Sequence, residues 1–246
     1  MVGRGARRPA GRWTWGALAL ALAVQVGVHR TGPPPDARAE ALAWPPSPPL
    51  ARLMAFGDAP ALGRAMMLGL QAYDVQPGVS LPFRSLDYTR VIAWLRLVLS
   101  LHPASQYALL SAAHLYAESP DLQRTRQMLD FIHQSFLQDP DHRWPWLAHA
   151  VVLARHRLQD QPLALFYARE LRLHVSEGAA PPWVRQMEAL ALADLGQREA
   201  ARVLLGGMLA SGTITEPHER HFLIERLQAL DAEMATQGPA ATPTPP

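Results

Sequence analysis

The chain has 246 residues and contains neither cysteine nor lysine, so all 23 of its basic residues are arginine, set against 21 acidic residues. These absences exclude disulfides, a thiolate nucleophile, Cys-ligated zinc, a Walker A phosphate loop and a Schiff-base lysine. Four arginines lie in the first twelve residues, which leaves 19 arginines in a slightly acidic body without the basic stripe that nucleic-acid binding requires.

The first predicted element is a membrane anchor at residues 13–29. It contains an uncharged run from Trp13 to Val28, and the four arginines precede it. Positive charge ahead of an apolar run keeps that end in the cytoplasm. Because a span takes roughly 20 apolar residues, the run is short, and a cleaved signal peptide or a buried helix remain alternatives.

The anchor predicts a single-pass protein of the bacterial inner membrane. Residues 1–12 would be the cytoplasmic N-terminus, and the body would lie in the periplasm. Residues 30–49 are rich in proline and predict a stiff linker. The tail, residues 237–246, is also proline-rich and is predicted to be disordered.

The body, residues 50–236, predicts an all-α domain of about nine helices without a convincing strand. Apolar residues recur at helical spacing, and short loops make neighbouring helices antiparallel. Ser85 and Asp121 are the expected N-caps of two helices, residues 57–60 are a candidate break in the first helix, and residues 74–82 are turn-rich. The predicted helices are 50–73, 85–101, 104–118, 121–138, 144–158, 162–175, 182–195, 198–210 and 215–234.

Part of the body repeats with a period of 37 residues. Pro145-Trp146 recurs as Pro182-Trp183, and Leu153-Ala154 recurs as Leu190-Ala191. Pro103 and Pro140, each expected to close a helical stretch, share that spacing. A period in the mid-thirties with helices throughout indicates a stack of helical hairpins.

The stretch from Met187 to Leu209 resembles a tetratricopeptide repeat. Ala189, Gly196 and Ala201 stand at the family's first small position, its turn glycine and its second small position. In the preceding unit Ala164 is in place, but Gln159 stands at the turn and Val152 at the first small position. The resemblance, over roughly residues 85–212, implies a right-handed stack of antiparallel helical hairpins, a tetratricopeptide-like α-solenoid.

The resemblance also implies a concave groove, lined by the first helices, that receives a peptide or a partner helix. The candidate groove residues are Trp146, His149, Leu153 and His156 on one stripe of a helix, with Trp183 and Gln186 as equivalents one unit further on. The alternative is that both tryptophans pack between repeats. The opposite stripe, predicted to face the core, comprises Leu147, Val151, Ala154 and Leu158.

No catalytic residue, metal site or cofactor is predicted. His142, His149 and His156 are spaced by seven, whereas a metal pair on a helix needs a spacing of three or four and a third ligand. Asp139 and Asp141 belong to ordinary turn chemistry, and residues 216–221 do not form HExxH.

These observations favour a non-enzymatic adaptor that holds a partner protein in the bacterial envelope. An envelope enzyme acting on cell-wall material through scattered residues, and a self-associating structural module, are the alternatives.

Overall fold

The computed structural model describes residues 12–31, 40–76, 79–212, 214 and 216–237. The chain divides into two compact units: the first is Met1–Ala39 with Val75–Ser80, and the second is Glu40–Asp74 with Leu81–Pro246. The described residues form eleven α-helices, short 3-10 and π turns, and one two-stranded sheet. The prediction of a mainly α-helical fold is therefore confirmed, and the described residues of the body form ten α-helices where nine were expected.

The first unit contains helix α1 (Arg12–Thr31) and the antiparallel pair β1 (Val75–Gln76) and β2 (Val79–Ser80). Val75 pairs with Ser80, and Gln76 with Val79. The expectation that no strand would form is wrong here, because strands of two residues are too short to leave a hydrophobic pattern in the sequence.

Helix α1 covers the predicted anchor, and its apolar side chains such as Leu18, Leu20 and Leu22 are more than half exposed. Among the residues that the structure describes, no helix is both long and apolar enough to cross a membrane. The predicted transmembrane span is therefore not supported. The predicted cytoplasmic segment lies, up to residue 11, outside the described residues, as do residues 238–246 of the predicted tail.

The described residues of the second unit form ten α-helices. Consecutive helices pack on one another, α3 on α4 and then each helix from α6 to α11 on the next. This arrangement is compatible with a helical-repeat fold. The helices are α2 (Pro48–Met54), α3 (Ala59–Gln71), α4 (Tyr88–Leu101), α5 (Tyr107–Ser111), α6 (Leu122–Phe136), α7 (Pro140–His156), α8 (Gln161–His174), α9 (Trp183–Asp194), α10 (Arg198–Ala210) and α11 (Pro217–Gln237).

Two helix starts differ from the predictions. The cap of α4 is Asp87, whose carboxylate accepts from the backbone N–H of Thr89 at 2.9 Å, while Ser85 belongs to a preceding 3-10 turn. Helix α7 begins at Pro140, because proline fits the first helical turn, where no N–H partner is needed. Pro140 thus opens a helix and does not close one.

Other local predictions are confirmed. The first predicted helix is broken, as α2 and α3, where Phe56 and Gly57 adopt positive φ values of 48° and 91°. Asp121 caps α6 and accepts from the N–H of Gln123 at 2.9 Å. A carboxylate at this position satisfies amide groups that have no partner within the helix.

Residues 40–47, assigned from the sequence to the linker, lie against α3 and α4. Leu42 is buried in the main core. Its carbonyl accepts from Arg90 at 2.6 Å, and the carbonyl of Ala43 accepts from the indole of Trp94 at 2.8 Å. The proline content therefore conceals a segment that packs on the helices of its own unit.

Side-chain contacts in the second unit recur at the period of the sequence. His133 contacts Glu170 at 3.1 Å, and the hydroxyl of Tyr167 donates to Asp130 at 3.2 Å. Both contacts join residues 37 apart. Further bonds join residues 34 to 40 apart: Arg126 with Asp160, Arg96 with Gln134, Arg155 with Asp194 and Trp146 with Gln106. Each side chain thus reaches about one repeat along the chain.

The core of the second unit is continuous from Leu42 to Ala191, and a second cluster joins α9, α10 and α11. Ala164, Ala189 and Ala201 are all fully buried. Small side chains at these positions allow two helix axes to approach closely. The small residues at Ala164, Ala189 and Ala201 therefore lie inside, as predicted.

One buried cation links several loops. Arg143, on α7, is 3% exposed. Its guanidinium donates to the carbonyl of Ser135 at 2.7 Å and to that of Pro103 at 2.9 Å, and to the side chain of Gln138 at 3.3 Å. Burial lowers the pKa of Arg143 from its ordinary value. The carbonyl oxygens offset the energetic cost of burying this charge, because they accept hydrogen bonds from a guanidinium that has only donors.

Candidate functional site

The candidate site lies on the side of α7 that carries Trp146 and Leu153, both of which are partly buried against the main core. Leu147, Val151 and Ala154 are buried, which confirms the predicted core stripe, and Leu158 lies just past the helix end, half-buried. We call the other side, formed by Trp146, His149, Leu153 and His156, the α7 surface. His156 is exposed and the other three are half-buried.

Trp146 is held in place by two residues near α5, Gln106 just before that helix and His114 just after it. Its indole N–H donates to the side-chain oxygen of Gln106 at 2.5 Å. Its ring meets His114 edge to face, with 6.3 Å between centroids. The tryptophan is therefore a fixed part of the surface and not a freely rotating side chain.

His114 lies in a π turn that follows α5. This turn, Ala112–Tyr116, closes with a hydrogen bond from the N–H of Ala117 to the carbonyl of Ala112, five residues back, at 2.9 Å. A π turn adds a residue to one helical turn and rotates the side chains that follow it. His114 thereby faces α7.

His114, Glu118 and His149 form a compact group. The rings of the two histidines lie 4.1 Å apart between centroids. One candidate ligand atom from each of the three side chains lies within 4.8 Å of the others. His114 and Glu118 are exposed and His149 is half-buried.

The environment of His149 keeps its imidazole neutral. Its pKa is lowered, first by burial and then by His114, and a hydrogen bond with the backbone of Ala113 and the charge of Glu118 oppose that shift. The Nε2 atom of His149 is buried and has no hydrogen-bond partner among the described residues. Several other buried side-chain atoms among the described residues share this state, and each is a candidate for a ligand or a water molecule.

The equivalent residues on α9 have different environments. Trp183 is 43% exposed and packs edge to face on Trp144, with 5.6 Å between centroids. Gln186 is only 3% exposed. Trp183 is therefore partly available on the surface, whereas Gln186 is buried.

The acidic residues at the start of α7 have structural roles. Asp141 accepts from the backbone N–H of Ser176 at 2.8 Å, which ties the start of α7 to the end of α8. Asp139 contacts His142 at 2.8 Å and raises the pKa of that exposed histidine. His142 lies apart from the compact histidine group.

Sequence reasoning missed two features of the second unit. His114 and Glu118 precede His149 by more than thirty residues, and only the packing of α7 on the π turn brings them together.

The other feature is an apolar cavity of about 540 Å³ between residues 40–46 and α3. Its lining includes Leu42, Met66, Leu70 and Trp94. The proline-rich composition of the flanking segment gave no signal for it.

Comparison with known proteins identifies no relative of the chain. No family model matches it, and no curated protein or solved structure matches it at a significant level.

Proposed function

We propose that the chain is a non-enzymatic adaptor with a tetratricopeptide-like stack of helical hairpins, and that its α7 surface binds a segment of a partner protein. The main support is the set of side-chain contacts between residues 34 to 40 apart, such as Arg126 with Asp160 and Trp146 with Gln106. Contacts at this spacing are expected when successive hairpins pack side by side. Stacked hairpins create extended binding surfaces.

The chemistry of the α7 surface favours a peptide segment with an apolar side chain among polar ones. Trp146 offers a fixed aromatic face, Leu153 an apolar one, and His156 an exposed polar group. Aromatic anchors surrounded by polar groups are typical of peptide recognition.

The proposal includes a location in the bacterial envelope. Its support is the sequence alone: four arginines precede an uncharged run that begins at Trp13. A fusion of alkaline phosphatase to the C-terminus tests it, because that enzyme is active only after export. Activity equal to that of a fusion lacking residues 1–31 would contradict export.

Self-association and enzymatic activity have weaker support. The apolar side of α11 is covered, since Leu223 and Leu230 are fully buried, so this helix does not supply a long exposed apolar flank. The apolar cavity beside α3 has a single carboxylate, Glu40, among its described lining residues. A hydrolytic site would instead bring several titratable groups together.

Site-specific crosslinking in cells tests the binding surface. A photoreactive residue at position 156 would lie on the α7 surface, and one at position 173 would replace the similarly exposed Leu173 on α8. We expect a discrete crosslinked species, identifiable by mass spectrometry, from position 156 but not from position 173. The same species from both positions would argue against a specific surface.

A double variant provides the complementary test. Trp146→Ala/Trp183→Ala should reduce recovery of that crosslinked partner about tenfold or more, since aromatic hot spots contribute 2 kcal/mol or above. Phe166→Ala is the matched control, because Phe166 is an exposed aromatic residue on α8. Unchanged recovery with the double variant would exclude the α7 surface as the binding site.

A further inference from the structure

We infer that His114, Glu118 and His149 bind a divalent transition-metal ion, with zinc as the best-matching ion. The three side chains come from two separate segments, the π turn with the residues after it and the middle of α7. The metal site itself does not depend on the proposed adaptor function, whereas the role of the ion in peptide binding rests on that function.

The donor set matches zinc chemistry. Two imidazoles and one carboxylate are a common zinc ligand set, with a fourth position taken by water or by an incoming ligand. His114 and Glu118 are four residues apart in sequence, and His149 supplies the third ligand. The group therefore has the short local spacing and the distant third ligand that the histidines along α7 lack.

The geometry is close to that of a ligated ion. The candidate ligand atoms lie within 4.8 Å of one another. Tetrahedral zinc at its usual bond lengths places its ligand atoms roughly 3.3 Å apart. The difference can be closed mainly by rotation of the exposed Glu118 side chain, with a small adjustment of the His114 ring between Trp146 and His149.

His149 provides the strongest evidence that a ligand belongs here. Its Nε2 atom is buried without a hydrogen-bond partner among the described residues. Leaving a buried polar atom unsatisfied costs free energy. A metal ion bonded to Nε2 would remove that cost and would use the lone pair of a neutral imidazole.

The scaffold around the group is fixed by backbone contacts. The guanidinium of Arg157 donates to the carbonyls of Glu118 at 2.8 Å and Ser119 at 2.6 Å, which anchors the loop after the π turn to α7. Trp146 packs on the ring of His114 from the other side. Rigid support of this kind lowers the entropic cost of bringing three ligands together.

The position of the group gives the ion a role on the α7 surface. Its fourth ligand would be exposed next to Trp146, where a side chain of a bound peptide could replace water. The ion would then add a directional contact to a surface that otherwise binds through aromatic and apolar groups.

Isothermal titration of zinc into the chelator-treated, full-length chain tests this inference. We expect one ion per chain. His114→Ala, Glu118→Gln and His149→Ala should each weaken zinc affinity at least 10-fold, since even the loss of residues that only support metal ligands costs 10–100-fold. His142→Ala is the matched control and should leave the affinity unchanged, because His142 is exposed on the same helix but outside the group.

Cobalt binding gives a second readout that does not depend on the variants folding. The wild-type chain with one equivalent of cobalt should show the intense visible absorption of a four- or five-coordinate site, and zinc should displace it. Circular dichroism verifies that each variant keeps its helices. Saturation at less than one ion per chain, a weak six-coordinate cobalt spectrum, or an equal loss of affinity in His142→Ala would overturn the inference.

Discussion

The hairpins α7–α8 and α9–α10 are consecutive and share their packing positions. Ala164 in one and Ala201 in the other are both fully buried. The turn between the helices is left-handed in each, with φ of 52° at Gln159 and 72° at Gly196. Both hairpins thus keep the same turn conformation and the same small buried residue, although only one has glycine at the turn.

The exposed positions of the two hairpins differ. His149 is half-buried and lies beside the exposed His114, whereas Gln186, 37 residues on, is buried. Asp160 caps α8 and accepts from the N–H of Leu163 at 3.0 Å, whereas Gln197 makes no side-chain bond at the start of α10. The repeat therefore specifies how helices pack, while each hairpin has a surface of its own.

Enlarging the shared alanines should have the largest effect on stability. Ala164→Leu and Ala201→Leu should each lower the free energy of unfolding by about 1–3 kcal/mol, because both side chains are fully buried and extra methylene groups would force packed helices apart. Urea denaturation measures the change. Ala200→Leu, at an exposed position of α10, is the control and should change stability by less than about 0.5 kcal/mol. Equal effects at positions 200 and 201 would contradict close packing.

Exchanging the turn residues should have opposite effects in the two hairpins. Gln159→Gly should raise the free energy of unfolding by roughly 0.5–1 kcal/mol, since a left-handed conformation is costly for residues other than glycine. Gly196→Gln should lower it by about 1 kcal/mol for the same reason. Space is not the limit there, because an added Cβ would meet only the end of Arg198, at 3.9 Å. Urea denaturation measures both variants. If Gln159→Gly and Gly196→Gln changed the free energy of unfolding in the same direction, the two turns would not be equivalent.

An aspartate before α10, like the one that caps α8, should have a smaller effect on stability. Gln197→Asp should raise the free energy of unfolding by about 0.5–1 kcal/mol, because aspartate accepts from amide groups that otherwise have no partner in the first turn. Thermal denaturation followed by circular dichroism detects the change. Gln197→Ala is the control and should be nearly neutral, since the present glutamine makes no capping bond; a large loss in that variant would contradict the assignment.

The smallest expected effect is on the pH dependence of stability, and it depends on His149, whose equivalent one repeat further on is Gln186. A chelator is present in this measurement. The pKa of His149 is lowered from 6.5, so below that pH the unfolded chain takes up a proton before the folded chain does, and stability falls as pH falls. His149→Gln should therefore reduce the loss of stability between about pH 7 and pH 5. His142→Gln should increase that loss, because the pKa of His142 is raised by Asp139. Denaturation curves at both pH values decide between these signs.

The sequence predicted the features that depend on local chemistry. Three of them each depend on the conformation or size of a single residue. They are the cap at Asp121, the break near Gly57 and the buried small residues at Ala189 and Ala201. The period of 37 residues was also visible, because the packing positions that recur are the ones that tolerate few residue types.

The sequence did not predict features that depend on how segments meet. The π turn at Ala112–Tyr116 shifts the rotation of the helix, so wheel arithmetic does not apply to His114 and Glu118. Their meeting with His149 depends on the packing of α7 against that turn. Ser85 was a reasonable cap by type, but Asp87 directly precedes α4 and its carboxylate reaches the amide of Thr89 in the first turn.

Arg143 has a consequence for how the second unit comes apart. In a linear array, each hairpin is in principle free to melt from an end independently of the rest. Here one guanidinium holds the end of α6 and the loop after α4 to the start of α7. These segments should consequently open in a single cooperative step, while fraying begins at α11, which belongs to the smaller core. Amide hydrogen exchange would then report one common opening energy across α4, α6 and α7.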